Sequence, residues 1–125
     1  MKNQNTIQQG LVFVAHGSRH LESNEHIFLL TKQLQSLKKN SYAYVNAAFL
    51  EFAHPNLPEA IEQQIEHRIS QVTVFPYFLS AGAHVTQDIP AIIHSLSEKY
   101  PTVTFKLLSH LGAHPDILAF ISQCV

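Results

Sequence analysis

The chain has 125 residues, a formal charge of −1 at pH 7 and a hydrophobic content of 46%. These values fit one hydrophobic core, so we expect residues 1–125 to form a single α/β domain with a polar N-terminal tail over residues 1–9. Only eight Lys and Arg are spread along the sequence, which disfavours a nucleic-acid partner. Because no apolar stretch resembles a signal peptide or is long enough to cross a bilayer, we expect a cytoplasmic protein without a membrane partner.

The cysteine and histidine content narrows the kind of metal site that this chain can build. Cys124 is the only cysteine, which excludes an internal disulfide and a thiolate metal cluster. A metal site must therefore use nitrogen and oxygen ligands. Nine histidines suggest metal or proton chemistry, but they are scattered and do not locate it.

Four apolar, β-branched or aromatic runs alternate with helical segments along the chain. The runs predict strands over residues 10–15, 42–50, 71–78 and 103–109, and the third should end near Pro76 because proline cannot donate to a strand ladder. The helical stripes between the strands are Ile27, Leu30, Leu34 and Leu37, then Leu57, Ile61, Ile65 and Ile69, then Ile89, Ile92, Ile93 and Leu96. Asn56, Pro58 and Glu59 predict a capped start of the second helix. A last short helix is expected from near Pro115, with Ile117, Leu118 and Ile121.

This order of elements predicts a three-layer α/β fold. With right-handed crossovers, the four strands form a parallel sheet in the order 2-1-3-4 with helices on both faces. Ligands of such sheets bind beyond the carboxyl ends of the strands, where the strand order reverses. In this chain that position lies between the first and third strands.

The chemically distinctive residues follow the predicted strand ends. His16 follows the first strand, Glu51 ends the second and His84 follows the third. The expected order places His16 and His84 opposite each other, with Glu51 beside His16. Gly17 and Gly82 stand near these histidines, where glycine allows a sharp turn or a close approach. Two imidazoles and a carboxylate at an open cleft predict a divalent-cation site.

Other polar residues at this edge have simpler explanations. We interpret His54, His110 and His114 as turn or cap residues, His26, His67 and His94 as solvent-facing residues, and His20 as an unexplained loop residue. Arg19 binds either an anionic substrate or a neighbouring acid. Ser18 does not stand in the G-x-S-x-G turn of hydrolases, and no Gly-rich dinucleotide or P-loop motif is present.

Four segments in order across nearly the whole chain resemble the small CbiX proteins, class II chelatases that insert a divalent metal into sirohydrochlorin in cobalamin, sirohaem or related tetrapyrrole synthesis. The segments are LVFVAHGSR, AFLEFAHPNLPEAI, VTVFPYFLSAGAHVTQDIP and LGAHPDIL. The resemblance implies a flavodoxin-like or chelatase-type α/β fold. It also implies that His16 and His84 hold the incoming Co²⁺, Fe²⁺ or Ni²⁺ and that Glu51 helps bind the metal or accept protons. The metal is a substrate here, and no permanently bound cofactor is expected. His54 departs from the family pattern, which has an acidic residue before the proline.

The resemblance further implies how the tetrapyrrole is held. Because this substrate is a polycarboxylate, we expect contacts from Ser18 and Arg19 and from the backbone of Gly17, Gly82 and Ala83. Longer relatives contain two such domains, so this chain is expected to form a homodimer. A non-catalytic carrier of metal or tetrapyrrole would use the same ligands. Phosphoryl transfer through His16 is a weaker alternative, because Ala15 stands where phosphatases have arginine.

Overall fold

The structure, a computed structural model, describes residues 7–80 and 82–125 except for the side chain of His84. Its strands are β1 (Gln9–Ala15), β2 (Tyr44–Phe49), β3 (Gln71–Pro76) and β4 (Thr104–Leu107). They form one parallel sheet in the order β2-β1-β3-β4, which confirms the predicted topology. The register runs from Gly10 opposite Tyr44 on one side of β1 and from Gln9 opposite Gln71 on the other. Gln9 therefore belongs to the sheet rather than to the predicted polar tail.

The helices are α1 (Leu21–Leu37), α2 (Leu57–Glu66), α3 (Ile89–Lys99) and α4 (Ile117–Cys124). A π-helical turn over His84–Asp88 leads into α3, and a 3₁₀ turn over Leu111–Ala113 precedes α4. None of the helices in the described part of the chain is both long and apolar enough to span a membrane.

Helices cover both faces of the sheet, as predicted. On one face, valines of β1 and β3 pack against α2 and α3; the buried set includes Val12, Val14, Val72, Val74, Leu57, Ile61 and Ile89. On the other face, Ile27 of α1 packs against Phe13, Ala47 and Phe49. Because β1 and β3 are buried on both faces, their carboxyl ends are held firmly at the edge where the candidate residues lie.

The ends of α2 follow from its sequence. The Asn56 side chain accepts the Glu59 backbone N–H and the Glu59 carboxylate accepts the Asn56 N–H, which confirms the predicted cap. At the other end, Ile69 N–H donates to Gln64 and Arg68 N–H donates to Ile65, with Arg68 at a φ of 64°. This is a Schellman motif with arginine at the position that usually holds glycine.

Two apolar stripes differ from the simple expectation of a buried face. Leu37 lies in the last turn of α1 and is 79% exposed, so it does not join the core. The predicted last helix is present as α4, but none of its residues is buried, and Leu118, Phe120 and Ile121 are exposed. Helical periodicity identifies an apolar face but does not say which surface covers it.

Candidate functional site

His16 and Glu51 form a close pair at the carboxyl edge of the sheet. The ladder between β1 and β2 continues beyond both strands, since Leu50 N–H donates to Ala15 and Glu51 N–H donates to His16. These backbone bonds place the two side chains together, with His16 Nε2 at 2.7 Å from a Glu51 carboxylate oxygen. Both side chains are roughly half exposed, at 43% and 47%. His16 and Glu51 therefore lie side by side, as the sequence analysis expected.

Gly17 makes this close approach possible. Its φ is +94°, a conformation that side chains of L-residues rarely adopt. A Cβ at this position would collide with the Glu51 carbonyl oxygen. The glycine thus lets the chain turn away after His16 while the Glu51 backbone passes directly beside it.

The hydrogen bonds of His16 leave one ring nitrogen directed at the carboxylate. Nδ1 lies 3.0 Å from the Gly17 carbonyl oxygen, which can only accept, so Nδ1 carries the donated proton. Nε2 is then the nitrogen that shares a proton with Glu51 or binds a cation with it. Two ligands on one metal at bond lengths near 2.1 Å stand about 3.0 to 3.4 Å apart. The observed 2.7 Å between the two ligand atoms must therefore increase by about 0.3 to 0.7 Å to admit a metal ion.

Asn24, which the sequence analysis did not single out, holds the loop after His16. It is 6% exposed; its side-chain oxygen accepts the Ser18 N–H at 3.0 Å and its amide donates to the Ser18 carbonyl at 2.7 Å. The Ser18 hydroxyl accepts the His20 N–H at 2.9 Å, so Ser18 is a turn residue, and His20 is the N-cap of α1. The only indication in the sequence was that Asn24, a polar residue, stands where the apolar stripe of α1 would otherwise continue.

Phe52 is a second residue that the sequence analysis missed. Its φ is +67°, its side chain is 51% exposed, and its ring centroid lies 6.1 Å from that of His16. The Arg19 guanidinium carbon lies 4.7 Å from the Phe52 ring centroid. The Arg19 guanidinium therefore lies over an aromatic ring, and it forms no ion pair with a carboxylate of the described residues.

The predicted residues after β3 lie at the same edge of the sheet. His84 begins the π-helical turn, and its side chain lies outside the described residues. Gly82 and Ala83 are exposed, and the Gly82 carbonyl accepts the N–H groups of Val85 and Thr86. A Cβ on Gly82 would meet nothing within 4 Å, so this glycine is not required by a close approach. Among the described side chains, no group of three or more His, Cys, Asp or Glu is placed to hold a metal.

The histidines that we interpreted as structural make local contacts. His54 Nδ1 lies 2.8 Å from the Glu59 carboxylate, and this hydrogen bond, with the one from the Asn56 N–H, lowers the Glu59 pKa below 4.5. His114 Nδ1 accepts the Asp116 N–H, and His110 is the N-cap of the 3₁₀ turn. His26, His67 and His94 are exposed, and His67 also stacks on Tyr44 at 4.1 Å.

The cavities near the sheet edge differ in size and chemistry. A shallow pocket of about 230 Å³ lies beside His16 and includes Ser18, Asn24 and Tyr77 in its wall. A larger cavity of about 560 Å³ runs along α2, but Glu59, Glu62 and Glu66 line it, which disfavours an anionic ligand. The pocket at His16 is smaller than the range of about 300 to 1,000 Å³ that encloses a drug-sized molecule. Its ligands must therefore be a small ion or part of a larger molecule.

Known proteins resemble this chain in sequence and in fold. The CbiX family model matches residues 10–125. The sirohydrochlorin cobaltochelatase of Methanocaldococcus jannaschii is 34% identical over 93 residues, which cover 74% of this chain and 63% of that protein. The chloroplastic sirohydrochlorin ferrochelatase of Arabidopsis thaliana is 28% identical over 114 residues, which cover 91% of this chain and 50% of that protein.

A solved structure has nearly the same length as this chain. The crystal structure of a CbiX protein from Marinobacter aquaeolei VT8, described there as a putative cobalamin biosynthesis protein, has a TM-score of 0.74 and 28% identity. The matched region covers 93% of this chain and 92% of the Marinobacter aquaeolei chain. By contrast, the chain spans about half to two thirds of the length of the two curated relatives above. Since the family model covers nearly the whole chain, this protein belongs to the CbiX family.

Proposed function

We propose that this protein inserts a divalent metal ion into sirohydrochlorin, with Co²⁺, Fe²⁺ and Ni²⁺ as the candidate metals. The observation that carries the proposal is the half-exposed His16 and Glu51 pair, which lies at the carboxyl ends of β1 and β2 beside the point where the strand order reverses. Relatives named as cobaltochelatase and ferrochelatase support the same reaction class. Neutral imidazole and carboxylate bind all three metals, so the donor set alone does not choose among them.

In the proposed reaction, His16 Nε2 and the Glu51 carboxylate bind the incoming metal together. The Gly17 carbonyl accepts the Nδ1 proton of His16, so Nε2, which faces the Glu51 carboxylate, is the nitrogen that binds the metal. We assign His84 as the third ligand, because it follows β3 directly across the reversal point from β1. A site with few protein ligands on an open face releases the ion to a competing set of nitrogens.

The reaction also needs acceptors for two protons. As the metal enters, two pyrrole N–H bonds break, four metal–nitrogen bonds form, and the bonds from the metal to His16, Glu51 and His84 break. The freed Glu51 carboxylate and His16 imidazole then accept the two protons and pass them to water. Because both side chains are partly exposed, this proton release needs no buried relay.

Anaerobic insertion assays with each metal, followed by absorbance of the macrocycle, test the proposal. Wild type should accelerate insertion, whereas His16→Ala and Glu51→Gln should each lose about 10²-fold or more in rate. His94→Ala is a matched control, since His94 is an exposed histidine 3.8 Å from Glu98 on α3. Tight metal or tetrapyrrole binding without rate acceleration would instead indicate a carrier, and wild-type rates equal to spontaneous insertion would contradict the chelatase proposal.

We further propose that two copies of this α/β domain form a homodimer that encloses the macrocycle. The 230 Å³ pocket beside His16 is too small to enclose a tetrapyrrole, so a second wall is needed. Relatives such as the chloroplastic ferrochelatase have about twice the length of this chain, which is what a second copy would replace.

An apolar surface leads from the site toward the proposed partner copy. Tyr77 lines both the pocket at His16 and a second pocket with Leu79 and Leu111. The surface continues into a pocket between Leu111 and α4 that includes Phe120. Leu79 is 72% exposed, and large exposed apolar patches mark interaction surfaces.

A further inference from the structure

We propose that Phe52 is a positioning residue that holds the Arg19 guanidinium beside the His16 and Glu51 pair, where Arg19 binds a peripheral carboxylate of the tetrapyrrole. The inference rests on the proposed function, because it names the substrate group that this side of the site recognises. It assigns a role to an exposed aromatic ring that the core does not use.

The backbone of Phe52 is the first observation. Within residues 7–80 and 82–125, only Phe52 and Arg68 combine a side chain with a positive φ, at 67° and 64°. Arg68 is explained by the Schellman motif at the end of α2. Phe52 ends no helix, and its ring is 51% exposed, so neither helix capping nor full burial in the core accounts for a strained phenylalanine here. Strain of this kind is typical of functional positions.

The contacts of the ring are the second observation. The guanidinium carbon of Arg19 lies 4.7 Å from the Phe52 centroid, and the His16 ring lies 6.1 Å from it on a tilted plane. No carboxylate among the described residues lies within ion-pairing distance of Arg19. The aromatic ring thus orients a guanidinium whose charge has no acidic partner in the described part of the protein.

The geometry of stacking explains what the pair can recognise. The N–H bonds of a guanidinium lie in its own plane. A guanidinium that lies over a ring therefore leaves N–H groups at its edge available to donate hydrogen bonds. Such an edge binds a carboxylate with two parallel hydrogen bonds. Because Phe52 directly follows Glu51, a carboxylate bound there fixes the macrocycle relative to the metal ligands. Phe52 acts through Arg19 and need not touch the reacting atoms.

Equilibrium binding of metal-free sirohydrochlorin to the full chain tests the inference without requiring turnover. Phe52→Leu keeps a similar backbone strain but removes the ring face, and it should weaken binding about three- to fivefold. Phe52→Tyr and Phe52→Trp retain a stacking face and should bind like wild type. The affinity of Phe52→Leu for Co²⁺ in the absence of the macrocycle should equal that of wild type. A variant that disturbed His16 and Glu51 would instead bind Co²⁺ more weakly. An unchanged affinity of Phe52→Leu for the macrocycle would overturn the inference.

A double-mutant cycle separates positioning from direct contact. Arg19→Gln should weaken sirohydrochlorin binding about ten- to a hundredfold, because a charge-assisted bidentate contact is lost. If Phe52 acts through Arg19, Phe52→Leu should cause no additional loss in the Arg19→Gln background. An equal loss in both backgrounds would mean that Phe52 contacts the macrocycle by itself and would overturn the positioning role.

A third variant distinguishes an effect of the Phe52 ring on binding from an effect on folding. Phe52→Gly removes the ring and relieves the positive φ, so its Tm should not fall while its binding weakens as in Phe52→Leu. Arg68→Gly relieves a similar φ at the opposite edge of the sheet and should bind sirohydrochlorin like wild type. Binding without insertion by wild type would overturn the chelatase proposal alone, whereas wild-type affinity in Phe52→Gly, or no binding by wild type, would overturn this inference.

Discussion

At the scale of single residues, the site depends on the backbone conformation of Gly17. Gly17→Ala adds a Cβ that collides with the Glu51 carbonyl and forces a φ of +94° on alanine, so it should destabilise the fold by about 2 to 4 kcal/mol. Urea unfolding measures this loss. Gly82→Ala is the matched control, because its Cβ meets open space, and its free energy of unfolding should change by less than about 0.5 kcal/mol. Equal losses in both variants would contradict the close-approach explanation.

The residues of the site differ in how well the sequence predicts them. His16 and Glu51 were predicted because parallel strands bring their carboxyl ends to one edge, and that rule needs only the order of the elements. Phe52 was not predictable, because nothing in the sequence marks a phenylalanine as having a positive φ. Asn24 was missed for a similar reason: a buried polar residue in a helix is recognised only when its partner, the Ser18 backbone, is known.

At the scale of elements, the start of α2 carries a pH-dependent contribution to stability. Hydrogen bonds from His54 and the Asn56 N–H lower the Glu59 pKa below 4.5 in the folded state. The stability from a lowered carboxylate pKa is complete above the unfolded-state pKa and is lost as the pH falls through the folded-state pKa. The difference in unfolding free energy between wild type and Glu59→Gln should therefore be largest near neutral pH and shrink below pH 4.5.

Urea unfolding of both proteins between about pH 7 and about pH 3 measures this difference. Glutamine still caps the helix, so the substitution removes mainly the charge. Glu25→Gln is the control, because Glu25 is exposed on α1 and has no ion pair among the described residues. A constant difference between wild type and Glu59→Gln across this range would contradict the assignment.

The elements themselves follow closely from the sequence, with α4 as the informative exception. Strand and helix periodicity predicted every strand and α-helix but not the π-helical or 3₁₀ turn, and the cap at Asn56 was confirmed because its signal lies within four consecutive residues. The same periodicity predicted α4 but could not say what covers Leu118, Phe120 and Ile121. Local patterns specify faces, whereas the surface that meets a face depends on the rest of the assembly.

At the scale of the whole molecule, the proposed homodimer predicts that α4 is an interface. Leu118→Glu places a charge on this helix and should convert a dimer of the 14.1 kDa chain to a monomer, with a lower insertion rate because the second wall is lost. Analytical ultracentrifugation measures the mass. Leu37→Glu is the matched control, since Leu37 is 79% exposed on α1. A monomeric wild type, or a Leu118→Glu variant that stays dimeric, would contradict this interface.

The central claim is that His16 and Glu51 act as one unit that holds the metal and receives the protons. The most direct test is the rate of anaerobic metal insertion into sirohydrochlorin by wild type, His16→Ala, Glu51→Gln and the double variant. Groups that act as a unit give non-additive losses, so the double variant should be about as slow as the slower single variant. Losses that multiply in the double variant, or a wild-type rate no faster than spontaneous insertion, would contradict the claim.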